Sequence, residues 1–130
     1  MYCSREKENW YINEMIDKLK DDAIKNEELF DCLNSKNFNI VGLSIYKIID
    51  RKFCDKNIIK ALTKIAAMLS GYKIAGPYQL GHLAIAALFL VGDKSALEYF
   101  NQLSENLNDN DKYLVDNLIK GMQANGEKGV

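Results

Sequence analysis

Nine consecutive apolar residues, Leu83 to Val91, sit in a chain of 130 residues and constrain its fold more than any other stretch. The run is too short to cross a bilayer in helical form, which takes about 20 residues. As a helix it is apolar on every side, and such a helix is stable in water only when neighbours cover it all round. Gly81, Ala84, Ala86 and Ala87 are small, so those neighbours can approach closely. Gly92 follows, the residue type that most readily takes the left-handed conformation at a helix end. A single glycine before Asp93 lacks the several glycines of a phosphate-cradling loop, so Gly92-Asp93 reads as a helix terminus.

Strand formers are scarce. Valine occurs only at 41, 91, 115 and 130, and Thr63 is the sole threonine. With Ile alone left to build strands, the pattern favours helix. Apolar residues at three- and four-residue spacing predict a first helix over Arg5–Asp22, capped by Ser4, with Trp10, Ile12, Met15, Ile16 and Leu19 inward. A short helix after Asn26 turns Leu29, Phe30 and Leu33 inward, with Glu28 placed to help its cap. "NSKN" (34–37) is a turn, and a third helix follows from Phe38 through Ile40, Val41, Ile45, Ile48, Ile49 and Phe53. Asp55 caps the next, which holds Ile58, Ile59, Leu62, Ile65, Ala66 and Leu69. "SGYKIAGP" (70–77) is a loop, and Gly76-Pro77 opens the helix that runs through Val91. Asp93 or Ser95 caps a helix with Leu97, Phe100 and Leu103. The last helix, Asp111 to Met122, carries Tyr113, Leu114, Leu118 and Ile119. Residues 123–130 are expected to fray. The result is one all-α domain of about seven helices with short polar turns and no strand.

Shifted by 38 residues, the chain matches itself: Asp55-Lys56 falls on Asp93-Lys94, Ile45 on Leu83, Ile48 on Ala86, Ile49 on Ala87 and Phe53 on Val91. Beyond the turn, Ile58 falls on Ala96, Ile59 on Leu97, Leu62 on Phe100 and Ile65 on Leu103. Each unit is helix, tight turn with Asp, helix. Two helices per period of about 40 residues are the mark of an α-solenoid, in which pairs stack because none can bury its apolar face alone. In "LNSKNFNIVGLSIYKIIDRKFCDKNIIKAL" (33–62) and "YQLGHLAIAALFLVGDKSALEYFNQL" (78–103) the chain resembles the HEAT-repeat family. The likeness spans roughly residues 27–121, though the family's usual Arg early in the first helix is missing and proline is nearly absent. It implies a short right-handed solenoid of helix pairs, with 1–25 as an N-terminal capping helix.

Catalytic chemistry is not visible. Cys3, Cys32 and Cys54 are odd in number and widely spaced, which reads as buried reduced thiols and not as a disulfide framework. One histidine without a Cys-x-x-Cys leaves no zinc ligand set. His82, on a mostly buried helix, is expected to be a packed, hydrogen-bonded core residue. Neither an enzyme constellation nor a cofactor or metal motif is present. The opening "MYCSREKENW" is charged where a secretion signal is apolar, so a cytoplasmic location is expected and no membrane partner.

Charge is unevenly spread. Residues 1–35 hold five basic and nine acidic side chains, net −4; residues 36–73 hold eight and two, net +6; residues 74–130 hold four and seven, net −3. Lys56, Lys60 and Lys64 recur along one helix face. On the matching helix of the next unit stand Glu98, Gln102 and Glu105, followed by Asp109, Asp111 and Asp116. Such faces are often no more than the solvated sides of amphipathic helices, but a face that changes sign also steers a charged partner. In size, class and Asn/Lys-rich, acidic-edged composition the chain resembles the small helical immunity proteins of bacterial toxin–immunity systems, contact-dependent growth inhibition included. The resemblance implies a non-enzymatic protein-binding module that neutralises a nuclease or other toxin domain through Glu98, Gln102, Glu105, Asp109, Asp111 and Asp116. The alternative is nucleic-acid binding, with Lys56, Lys60 and Lys64 on phosphates of a basic concave face. Against it stand the net charge of −1 and Arg51 as the only arginine beyond the N-terminal segment.

Overall fold

The computed structural model describes residues 13–21, 24–35, 37–67, 73–75 and 78–128. Residues 13–20 form helix α1, followed by α2 (Asn26–Leu33), α3 (Phe38–Arg51), α4 (Lys56–Ala66), α5 (Leu80–Leu90), α6 (Lys94–Glu105) and α7 (Asp109–Lys128). Strands β1 (Lys73–Ala75) and β2 (Tyr78–Gln79) precede α5 as a two-stranded antiparallel ladder. The chain is therefore all-α apart from five residues of ladder. Ser4, Trp10 and Ile12 of the first expected helix, Leu69 of the fourth, and the Gly76-Pro77 start of the fifth lie outside the described residues.

α5 occupies the centre. Every residue from Leu80 to Leu88 is buried, and α5 packs against α3, α4, α6 and α7. Small residues at 81, 84, 86 and 87 let four helices reach one helix. α2 lies against both α3 and α4. One contiguous core joins Met15, Leu19 and Ile24 to Leu29, Ile45, Ile58, Leu62, Leu83, Leu88 and Val115. No helix among the described residues is long and apolar enough to cross a membrane.

The helix ends follow the local chemistry. Asn37 caps α3 by accepting the Asn39 and Ile40 N–H groups (3.0 and 3.2 Å). Asp55 caps α4 through the Ile58 N–H (2.8 Å), and Asp93 caps α6 through Ser95 and Ala96. The two aspartates that coincide under the 38-residue shift thus play the same part. Ile45 and Leu83, Ile48 and Ala86, and Ile58 and Ala96 are fully buried in matching pairs. The match weakens along the second helix: Leu62 is fully buried, while Phe100 and Leu103 are only partly so, because α6 covers one side of α5 and faces outward on the other.

α3 ends at Lys52, which has φ 50°, with Phe53 N–H bonded to Ile48 O and Lys52 N–H to Ile49 O. That is a Schellman motif with lysine where glycine is usual. Gly92 closes α5 with φ 75°, in the left-handed region expected of it.

Four local expectations need correction. α5 begins at Leu80 and not at Gly76-Pro77, because Tyr78 and Gln79 are extended in the ladder and the Gln79 N–H is held by His82 Nδ1 at 2.9 Å. In α2 the inward residues are Leu29, Cys32 and Leu33; Phe30 points outward. α7 starts two residues early, at Asp109, since Asn108 Oδ1 accepts the Asp111 N–H (2.8 Å) and so opens the helix. It also continues through 123–128, where fraying is expected from the sequence.

Candidate functional site

The amphipathic pattern of α4 turns Ile58, Ile59, Leu62 and Ile65 into the core and leaves Lys56, Lys60 and Lys64 exposed on the opposite side. Among the described residues none of the three ammonium groups is in an ion pair. Two adjoining depressions lie beside them. One, of about 280 Å³, is lined by Leu33, Asn34, Phe38, Ala61, Lys64 and Ile65. The other, of about 150 Å³, is lined by Phe30, Asn34, Asn57, Lys60, Ala61 and Lys64. Ala61, the smallest side chain of the α4 face, leaves the space between α2 and the lysine row. The result is a shallow groove with an apolar floor and a basic rim.

Arg51 is not part of that rim. Its guanidinium donates to Asn26 Oδ1 (2.8 Å) and to Ile24 O (2.7 Å), fastening the α1–α2 connection to the end of α3.

The acidic residues divide. Glu98, Gln102 and Glu105 are exposed along one face of α6, and Asp109 and Asp116 along the outer face of α7. Among the described residues none of these carboxylates is in an ion pair. Tyr99 and Tyr113 stand exposed on the same two helices. Asp111 is different. It lies on the inward stripe of α7, three and four residues before Leu114 and Val115, and its Oδ1 sits 2.8 Å from Nε2 of the buried His82. His82 Nδ1 accepts the Gln79 N–H, so the ring proton is on Nε2 and is donated to Asp111. His82 is thus the packed, hydrogen-bonded core residue the sequence suggests, and Asp111 is its partner. The position of Asp111 within an apolar stripe is the sequence signal that separates it from Asp109 and Asp116.

Cys32 and Cys54, the cysteines among the described residues, carry no reactive signature. Burial chiefly raises the Cys32 thiol above its ordinary value, and burial with Asp93 and Asp55 nearby pushes Cys54 up to about 11. Both are free thiols; Cys3 lies outside the described residues. At the α1–α2 junction Glu28 accepts the Lys25 N–H (3.1 Å) and faces the Lys18 ammonium (3.4 Å). The backbone bond, more than the lysine, holds its carboxyl below the ordinary glutamate value. Among the described residues no three His, Cys, Asp or Glu side chains converge as a metal site.

Comparison of the chain with protein-family models, with curated proteins and with solved structures returns no match. The class defined by the fold is a helical domain whose central helix is buried from Leu80 to Leu88, with a lysine row exposed on α4 and carboxylates exposed on α6 and α7.

Proposed function

We propose that the chain is a non-enzymatic, cytoplasmic protein-binding module, an immunity-type protein that covers a toxin domain, built as a short right-handed solenoid of HEAT-like helix pairs. The observation that carries the reading is the exposed sides of α6 and α7, where Glu98, Glu105, Asp109 and Asp116 are in no ion pair among the described residues and Tyr99 and Tyr113 stand exposed beside them. Interfaces favour tyrosine, and complementary charge speeds encounter with a basic partner such as a nuclease. Gln102 contributes a neutral hydrogen-bonding group to the same face. Asp111 serves it indirectly, by anchoring α7 to α5. The solenoid assignment is supported by the equivalent caps at Asp55 and Asp93 and by the paired burial across the 38-residue shift.

The test is genetic and then biochemical. An immunity protein requires a toxin-domain gene beside its own. Expression of that domain should arrest growth, and this chain should restore it. Reversing Glu98, Glu105, Asp109 and Asp116 to Lys should abolish rescue while leaving the helical content unchanged. A neighbourhood without a toxin gene, or rescue that survives the reversals, overturns the proposal.

A second reading, nucleic-acid binding through Lys56, Lys60 and Lys64, is favoured by the exposure of all three ammonium groups. It is weakened by the commitment of Arg51 to Ile24 and Asn26. A salt-dependent gel shift on DNA or RNA, lost on changing the three lysines to Glu, would support it; no binding at low salt would end it.

A further inference from the structure

The groove between α2 and α4 has no part in the toxin-binding reading. Its larger depression, at about 280 Å³, falls below the ~300 Å³ at which sites for drug-sized ligands begin. It suits one inserted side chain. Leu33, Ala61 and Ile65 make it apolar, while Lys60 and Lys64 demand negative charge beside the inserted group.

The chain itself carries a surface of that description. On the outer face of α7, Tyr113 is 64% exposed, the most exposed large apolar side chain among the described residues. Asp109 and Asp116 flank it four residues before and three after; the exposed Lys112 lies to one side of this patch and Lys120 one turn beyond Asp116. Seven helical residues set these carboxylates about 10 Å apart along the axis, and eight set Lys56 and Lys64 about 12 Å apart. We propose that the α2–α4 groove receives the outer face of α7 from a second copy of the chain, with Tyr113 in the depression and Asp109 and Asp116 against the lysine row. The two patches differ, so the contact either is made twice, each copy supplying both patches in a closed two-fold dimer, or is made once, leading to head-to-tail growth. The contact also covers part of the acidic face, so a toxin domain would compete with the second copy. That consequence alone rests on the toxin-binding reading; the self-association does not.

Sedimentation of the full chain tests this without any toxin. The weight-average mass of wild type should rise above the 14.8 kDa monomer as concentration approaches about 1 mM. Raising salt from about 50 to about 500 mM should weaken association at least about tenfold, because exposed charges are screened. Lys60→Glu/Lys64→Glu and Asp109→Lys/Asp116→Lys should each be monomeric, and an equimolar mixture of the two should associate again. Tyr113→Ala should weaken association about tenfold or more. A wild type that stays monomeric, association indifferent to either reversal, or a mixture of well-folded variants that fails to associate overturns the proposal. So does binding of a labelled oligouridine to the lysine row in a chain that does not self-associate, which would give the groove to single-stranded nucleic acid.

Discussion

His82 Nε2 donates to Asp111 Oδ1 across 2.8 Å, joining the first turn of α5 to the first turn of α7. The ring is 1% exposed, and its Nδ1 accepts the Gln79 N–H, so both nitrogens are satisfied in a site with no room for error. Removing the acceptor strands a buried N–H, which costs about 1–3 kcal/mol. Asp111→Ala should therefore destabilise by that amount in denaturant unfolding. Asp111→Asn keeps an acceptor oxygen and should cost less than half as much. Equal losses for the two variants would show that the contact does not matter as a hydrogen bond.

Lys52 and Gly92 make opposite predictions at the two helix ends. Lys52 holds φ 50° with a side chain, a conformation disfavoured by about 1–2 kcal/mol for residues bearing a Cβ. Lys52→Gly removes that steric cost while loosening the unfolded chain, for a net gain of about 0.5–1 kcal/mol. Gly92→Ala should lose about 1 kcal/mol. A Cβ at Gly92 meets nothing within 4 Å, so that loss is conformational and not a clash. Thermal unfolding of both variants checks the signs.

Glu28 predicts an acid-dependent term. Its carboxyl is held below the ordinary value, first by the Lys25 N–H and then by Lys18. A carboxylate with a depressed folded pKa contributes stability at neutral pH, and that contribution fades as pH falls through the folded value. Glu28→Gln should therefore lower the melting temperature at pH 7, and the gap to wild type should close in acid. A gap constant with pH would mean that the glutamate acts only through packing.

Cys54, with its thiol pushed up to about 11, should resist alkylation at neutral pH. The thiolate is the reactive form, so iodoacetamide labelling of the Cys54 peptide should keep climbing about tenfold per pH unit past pH 9, where an ordinary thiol levels off. Mass-spectrometric quantification of that peptide separates it from Cys3 and Cys32.

Helix content, the Asp55 and Asp93 caps, the left-handed Gly92 and the all-round burial of Leu83–Leu88 were legible in the sequence, because each depends on chemistry within a few residues or on an unbroken apolar run. Tertiary structure alone decided where α5 starts. His82 holds the Gln79 N–H and is itself held by Asp111, a residue 29 positions away that no local pattern connects to it. The same holds for the groove. Phe30 reads as one more apolar residue of its helix, and only the packing of α2 against α4, with Ala61 between them, leaves it outside beside Lys60. Local propensity selects helices and their ends over a few residues, but which side chains meet is settled by how whole helices pack, and that energy is shared across distant parts of the chain.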